Sequence, residues 1–170
     1  KLQQGRDVIS PQKMDMNLLI ENVVASYKQK ASVLGISLEV RNQSVDNYLI
    51  ADQGRLRQVL VNLLENALRF TGDNGTVVVE AVAEEGMFYV HVKDSGVGIP
   101  VEHLPHVFER FYKADRSRRE EGSGLGLAIV KHIVQAHSGE VEVKSVEGEG
   151  STFSFTIPQV RLDLNHEPIS

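Results

Sequence analysis

The hydrophobic period of this chain changes several times, and the order of those changes constrains its fold more than any other feature. Apolar side chains recur at helical spacing in residues 15–34, 52–70 and 125–136. Strand-like alternation occupies residues 36–40, 48–51, 76–83, 87–93, 140–146 and 152–157. Tight turns join the later strands, which favours antiparallel pairs. This order predicts an α+β fold, a two-layer α/β sandwich in which about three helices cover one face of a mixed, mainly antiparallel sheet.

A long segment between the paired strands and the last helix, residues 94–123, is rich in glycine, proline and charged residues. Most of it is expected to be loop, with one short helix around residues 101–108, directly after Pro100. Loops of this length inside a compact domain are usually lids or binding loops. The functional site is therefore expected to lie around this segment.

Composition excludes several kinds of function. The 170 residues include 18 lysines and arginines against 23 aspartates and glutamates, and the net charge of −5 opposes a bulk electrostatic role on nucleic acid. The absence of cysteine excludes a disulfide framework and thiolate metal sites. No apolar run approaches the ~20 residues that are needed to cross a bilayer.

Three polar side chains share one stripe of the second predicted helix. Asn62, Asn66 and Arg69 stand at i, i+4 and i+7. Two carboxamides can supply oxygen ligands to a hard cation, and a guanidinium can donate to phosphate. A solvated polar stripe is the alternative interpretation of the same spacing.

The start of the long loop combines an aspartate with two glycines. Asp94 follows a predicted strand, where its carboxylate can accept a hydrogen bond from an exocyclic amine such as that of adenine. Gly96 and Gly98, just before Ile99, let the backbone approach a flat ligand closely. An ordinary turn capped by Asp94 is the alternative.

The end of the loop is a second glycine-rich run that leads into the last helix. It consists of Gly122, Ser123, Gly124, Leu125, Gly126 and Leu127. Backbone N–H groups at such a helix start form a site for an anion. The run lacks the third Gly or Ala of the dinucleotide fingerprint and the Gly-Lys-Ser/Thr of a Walker loop. A flexible loop with an ordinary helix cap is the alternative.

Aromatic and cationic residues are clustered between the two glycine runs. Phe108, Phe111 and Tyr112 precede Lys113 and Arg118. We expect a lid whose aromatic side chains pack down while its cations reach a phosphate, although an exposed charged loop has the same composition. A base acceptor, cation ligands, a phosphate cradle and a lid together indicate nucleotide chemistry more specifically than any one of them.

At these residues the sequence resembles the catalytic ATPase domain of histidine kinases, within the superfamily shared with gyrase, a heat-shock chaperone and mismatch-repair ATPases. The resemblance covers roughly residues 14–158. The matching boxes are the asparagine box at residues 58–67, the glycine boxes at 94–98 and 122–130, the phenylalanine box at 108–112 and a third short box at 148–153. The resemblance implies a Bergerat-type ATP-binding fold, ATP and Mg²⁺ as cofactors, and protein-histidine kinase activity in two-component signal transduction.

The resemblance also implies roles for individual residues around the phosphates. Asn66 is expected to hold the magnesium ion, with Asn62 beside it, and Arg69 stands where the family often has lysine. Lys113 and Arg118 fall where lid cations touch the terminal phosphate. Residues 122–127 would donate backbone N–H groups to phosphate. Of these, Asn62, Asn66, Lys113 and Arg118 are the expected catalytic residues.

A second set of roles concerns the base. Asp94 is expected to accept a hydrogen bond from the adenine amino group, with support from Thr152. Gly96, Gly98 and Ile99 belong to the expected base pocket. Phe70 stands where tyrosine is common beside the adenine, so any hydrogen bond from that hydroxyl is missing here.

Two departures from the family pattern refine these expectations. Gyrase-like relatives carry a glutamate at the position of Asn62 as the general base for attack by water. An amide cannot take that proton, which favours phosphoryl transfer to a protein acceptor. The family's acceptor is a histidine followed by an acidic residue on an upstream helical dimerisation domain, and this sequence shows no such segment. His166 is followed by Glu167, but it lies in the C-terminal tail without the surrounding helix. We therefore expect residues 1–10 to be a remnant of that domain and its linker, residues 11–158 the ATP-binding domain, and residues 159–170 a polar tail.

The implied partners are the chain's own dimerisation and phosphoacceptor domain and a downstream response regulator, with no nucleic acid. The isolated domain is expected to be a cytoplasmic monomer, cut from a homodimeric parent that is either free or anchored in the inner membrane. Two other functions stay open. One is a noncatalytic nucleotide-binding module that regulates a partner, against which the intact boxes argue. The other is a hydrolytic chaperone-like ATPase, against which Asn62 and the phenylalanine box argue.

Overall fold

The computed structural model describes residues 8–42, 47–112, 125–159, 161–162 and 168–169 of the chain. These ranges contain three α-helices, one 3₁₀ helix and nine strands. In chain order the elements are β1 (Gln12–Asp15), α1 (Met16–Val33), β2 (Ser37–Asn42), β3 (Tyr48–Ala51), α2 (Gln53–Phe70), β4 (Thr76–Glu84), β5 (Met87–Asp94), a 3₁₀ helix (Val101–His106), α3 (Gly126–Ala136), β6 (Glu140–Val146), β7 (Gly150–Pro158), β8 (Arg161–Leu162) and β9 (Pro168–Ile169).

Five of the strands form one mixed sheet, in the order β2-β4-β5-β7-β6. Strand β2 runs parallel to β4, whereas the other three pairs are antiparallel. Buried and partly exposed side chains alternate along β5 and β7, so one face of the sheet is covered and the other is open. Helices α1, α2 and α3 each contact this sheet, and α2 packs between α1 and α3 and contacts both. The prediction of a two-layer α+β fold with a mixed sheet is confirmed.

The core lies between the covered face and the apolar stripe of α2. That stripe repeats at intervals of three and four residues, which places its members on one side of the helix. Its buried residues are Leu56, Val59, Leu60, Leu63, Leu64, Ala67 and Leu68. Large buried side chains of the sheet, such as Phe88 and Phe155, belong to the same cluster. The polar side of α2 is therefore turned away from the sheet.

Several elements differ from the sequence prediction. Strand β1 was not expected, because its exposed Gln12 and Lys13 give no apolar alternation; it pairs antiparallel with β3. The helix expected around residues 101–108 is a 3₁₀ helix with Pro105 inside it, a residue that has no N–H for an α-helical bond. Strands β8 and β9 pair within the segment that was predicted as a polar tail. None of the helices in the described ranges combines the length and apolar character that a membrane crossing requires.

The start of α2 is fixed from three directions. Asp52 caps the helix, because its Oδ1 accepts a hydrogen bond from the Arg55 backbone N–H at 3.2 Å. Its Oδ2 accepts from the Ser10 backbone N–H at 2.8 Å. Its own backbone N–H donates to Nε2 of buried His137 at 3.0 Å, and Nδ1 of that ring donates to the Ile133 carbonyl at 2.9 Å. One aspartate thus joins the N-terminal segment, α2 and the end of α3.

We predict that Asp52→Ala lowers the free energy of unfolding by about 1 kcal/mol, the usual effect of losing a helix cap. Urea unfolding measures it, with Glu21→Ala as the control, because Glu21 is exposed on α1. The Ser10 backbone N–H, against opposing burial, lowers the pKa of Asp52. The stabilisation that the Asp52 carboxylate gives to the fold is therefore present above the pKa of Asp52 in the unfolded chain. It is lost as the pH falls through the pKa of Asp52 in the folded chain. A difference between the two variants that does not shrink on acidification would contradict this role.

Candidate functional site

The polar stripe of α2 meets the start of α3. Asn62, Asn66 and Arg69 are all partly buried on α2. The Asn62 side-chain amide donates from Nδ2 to the Gly126 carbonyl at 3.1 Å, which ties the middle of α2 to the first residue of α3. This bond uses the amide nitrogen of Asn62, so its oxygen, Oδ1, can bind a cation or accept a hydrogen bond.

The residue at the cap position of α3 supplies no side-chain cap. Leu125 occupies the cap position and makes no capping hydrogen bond from its side chain. The first N–H groups of a helix have no partner within the helix, and Gly126, the first residue of α3, has no side chain to cover them. Leu127 is partly buried and packs on the core. The predicted phosphate residues Gly122, Ser123 and Gly124 lie outside the described residues.

Asp94 is the last residue of β5, and only one of its oxygens is used inside the described part of the chain. Oδ1 accepts from the backbone N–H of Gly96 at 2.9 Å and from that of Ser151 at 3.3 Å. Oδ2 is left to accept from a ligand. Burial raises the pKa of the Asp94 carboxyl above its ordinary value, although the Gly96 and Ser151 N–H groups oppose this.

The loop after Asp94 lies against the end of α2. The Val97 backbone N–H donates to the Phe70 carbonyl at 3.3 Å. A Cβ on Gly96 would come within 2.9 Å of the Phe70 carbonyl carbon and within 2.9 Å of Asp94 Oδ1, so only glycine fits. Gly98 has φ of +73°, and the next N–H, from Ile99, donates to Ser145 Oγ at 2.8 Å. The structure therefore brings Phe70, Asp94 and the first glycine box together.

The hydroxyl beside Asp94 belongs to Ser151 and not to Thr152. Asp94 is directly opposite Ser151 in the β5–β7 register, and Thr152 is opposite Lys93. Side chains alternate between the two faces of a sheet, so Thr152 lies on the open face, away from Asp94. The expectation that Thr152 supports Asp94 is therefore corrected: the neighbour of Asp94 is the preceding residue, Ser151. Strand pairing, which sequence alone did not give, was the missing information.

A carboxylate within the asparagine box is held by α1. Glu65 accepts from the Tyr27 hydroxyl at 2.8 Å and from Lys30 Nζ at 2.9 Å. Although burial opposes it, these two bonds and the charges of Lys30 and Arg69 hold the pKa of Glu65 below its ordinary value. Burial, with the adjacent Glu65, raises the pKa of Tyr27 to about 12. The Arg69 guanidinium lies over the Phe70 ring, 5.8 Å from its centroid.

The phenylalanine box is only partly packed. Phe108 meets Phe153 edge to face, with 6.0 Å between ring centroids. Phe111 does not pack down: it is 64% exposed, and its φ is +65°. The Tyr112 hydroxyl is hydrogen-bonded to Nδ1 of His103. Lys113 and Arg118 lie outside the described residues.

The donor set suits a cation that is shared with phosphate. In the described ranges, no group of three or more His, Cys, Asp or Glu side chains could hold a metal ion. Mg²⁺ commonly takes few protein ligands and completes its octahedron with water and substrate phosphates. Asn62, with Oδ1 turned away from its Gly126 bond, and Asn66 one turn later supply oxygen atoms of that kind.

Comparisons with known proteins agree with this geometry. The model of the family described as histidine kinase-, DNA gyrase B-, and HSP90-like ATPase matches residues 51–161. The chain is 44% identical over 117 residues to sensor histidine kinase WalK of Bacillus subtilis, which covers 66% of this chain and 19% of WalK. The chain thus spans about a fifth of the length of that relative.

Solved structures share the whole architecture. The catalytic domain of histidine kinase ThkA has a TM-score of 0.80 and 30% identity, over 89% of this chain and 97% of that one. Full-length ShkA in complex with AMPPNP has a TM-score of 0.82 and 32% identity, over 91% of this chain and 32% of that one. ThkA in complex with response regulator protein TrrA has a TM-score of 0.75 and 28% identity, over 88% of this chain and 42% of that one.

We predict that Gly96→Ala lowers the free energy of unfolding by about 1–3 kcal/mol, because the added methyl has no space between Phe70 and Asp94. Gly72→Ala is the matched control, since nothing lies within 4 Å of a Cβ at Gly72. Thermal unfolding of both variants measures the difference. Equal stability of the two variants would show that the loop does not lie against α2 as described.

Proposed function

Because the chain belongs to the histidine kinase-, DNA gyrase B- and HSP90-like ATPase family, we propose that it is the ATP-binding catalytic domain of a sensor histidine kinase. In this proposal residues 11–158 bind Mg-ATP and transfer its γ-phosphate to a histidine on a separate dimerisation domain. The family resemblance also implies a cytoplasmic position and a downstream response regulator; the similar kinase ThkA has been solved with such a regulator.

The observation that carries the proposal is the geometry of Asp94. One carboxylate oxygen is held by two backbone N–H groups, and the other is left at the loop that lies against Phe70. A fixed acceptor at the end of the helix that carries Phe70 suits a flat base that carries an amino group. AMPPNP, an ATP analogue, is bound by the similar protein ShkA, which supports adenine as that base.

The opposite end of the site suits the phosphates. Asn66 and Asn62 would hold Mg²⁺, which supplies charge neutralisation for the phosphoryl group when bound. The N-terminus of α3, tied to Asn62 through Gly126, offers N–H donors to an anion. Arg69 adds a cation on the same stripe of α2. Lys113 and Arg118 are proposed as lid cations.

The chain's own residues favour transfer over hydrolysis. Asn62 stands where the gyrase-like relatives have their general base, and an amide cannot accept the proton of an attacking water. A hydrolytic chaperone-like ATPase is therefore the weaker alternative. Buried His137 has both ring nitrogens occupied by backbone groups, so it is not an acceptor for phosphate. The acceptor is expected on the dimerisation domain, which is held close by the tether in the parent protein.

The base assignment predicts that Asp94→Asn weakens ATP binding by ~1–3 kcal/mol, because a charge-assisted bond to the amino group is lost. GTP, with a carbonyl at that position, should bind the unaltered chain poorly. Isothermal titration calorimetry measures both, with Asp73→Asn in an exposed turn as the control. Equal affinity for ATP and GTP would refute the role of Asp94.

The transfer assignment is tested with the parent's dimerisation domain supplied as a separate protein. With radiolabelled Mg-ATP, an acid-labile, base-stable label should form on that domain and not on this chain, at a low rate because the tether's effective concentration is lost. Asn66→Ala should abolish the label, since transfer depends on positioned phosphates, whereas Asn22→Ala on the exposed side of α1 should not.

Two results would contradict the transfer assignment. Label on this chain alone would show that it contains its own acceptor. Robust steady-state ATP turnover without transfer would instead support the hydrolytic alternative.

A further inference from the structure

Ser145, on β6, joins the first glycine box to the start of β7. Its Oγ accepts a hydrogen bond from the Ile99 backbone N–H at 2.8 Å, lies 2.8 Å from Ser151 Oγ and donates to the Gly150 carbonyl at 2.9 Å. One partly buried hydroxyl therefore connects the end of the first glycine box to the strand that carries the neighbour of Asp94. None of the motifs in the sequence includes this residue.

The direction of the bond between the two serines follows from counting protons. A serine hydroxyl has one proton and two lone pairs. The Ser145 proton is directed at the Gly150 carbonyl, and one of its lone pairs accepts from Ile99. The contact with Ser151 can then form only if the Ser151 hydroxyl donates and Ser145 accepts.

This direction decides what Ser151 offers to a ligand. With its proton committed to Ser145, Ser151 Oγ has only lone pairs left to offer. Ser151 is buried next to Asp94, whose carboxylate is also an acceptor. Both groups at this end of the site therefore accept hydrogen bonds, and neither donates. A 6-amino purine satisfies such a pair, whereas a 6-oxo purine presents a carbonyl to two acceptors.

We propose that Ser145 is a specificity-determining positioning residue: it fixes the polarity of Ser151 and the position of Ile99 so that the site selects a 6-amino over a 6-oxo purine. The proposal rests on the nucleotide-binding function above. Ser145 acts through its neighbours and does not need to touch the base. Without it, the Ser151 hydroxyl is free to rotate and donate to a 6-oxo group, and the Ile99 N–H loses its acceptor.

The experiment compares ATP with ITP, whose bases differ at position 6 and in the proton that N1 of the 6-oxo base carries, by calorimetry on the whole chain. The unaltered chain should prefer ATP. In Ser145→Ala we expect ATP affinity to fall about 5–10-fold, the effect of one lost neutral hydrogen bond, while ITP affinity is kept or rises, so that the preference shrinks by at least that factor. Ser145→Thr, which keeps the hydroxyl on a β-branched side chain, should restore the preference.

The matched control is Ser154→Ala, which removes a hydroxyl from the open face of β7, where it is bonded to His91 at 2.6 Å. It should leave the ATP-to-ITP preference unchanged. A merely structural role of Ser145 would weaken the binding of both nucleotides equally. That result would overturn the proposal, as would an unchanged preference in Ser145→Ala.

If Ser145→Ala fails to fold, Ser151→Ala must show the same loss of preference, and an intact preference in Ser151→Ala overturns the proposal too. Failure of the unaltered chain to bind ATP would overturn the proposed function itself, which separates the two outcomes.

Discussion

The candidate site depends on how α2 is seated on the sheet. Seven buried apolar residues on one stripe fix the rotation of this helix about its axis. Because a helix turns by about 100° per residue, a shift of one position would carry Asn62, Asn66 and Arg69 away from the loops. The two ends fix its position along the axis: Asp52 caps the start, and the Phe70 carbonyl accepts from Val97 at the end. Because the apolar stripe of α2 is buried against the sheet, the polar stripe with Asn62, Asn66 and Arg69 is directed toward the site.

The same seating explains how a carboxylate can stand among groups that are proposed to face phosphates. Glu65 precedes Asn66, and an unpaired negative charge there would repel a polyphosphate. Both of its oxygens are instead occupied by Tyr27 and Lys30 of α1, so its charge is directed at the helix interface. Tyr27, with its raised pKa, stays a neutral hydrogen-bond donor to Glu65 at neutral pH.

Sequence reasoning predicted the parts that follow from local periodicity. The three α-helices and the five strands of the main sheet are where the apolar spacing indicated, within two residues. What it missed depends on pairing and on backbone angles. A strand's partner fixes which face a side chain takes, so only the β5–β7 register could show that Ser151 and not Thr152 stands beside Asp94. The positive φ of Phe111 could not be expected from a bulky residue. Ser145 belongs to no motif, and its bond with Ile99 joins residues that are 46 positions apart in the chain.

Strand β1 has a mechanical consequence. It runs antiparallel to β3 in register from Gln12 with Ala51 to Asp15 with Tyr48, and the Ser10 N–H is bonded to the Asp52 cap. A tension applied to the chain ahead of Ser10 therefore loads this ladder in shear, with its hydrogen bonds sharing the force, and delivers it to the first turn of α2. The two short strands and the Ser10 bond thus join the N-terminal segment to the first turn of α2, the helix that carries Asn62 and Asn66.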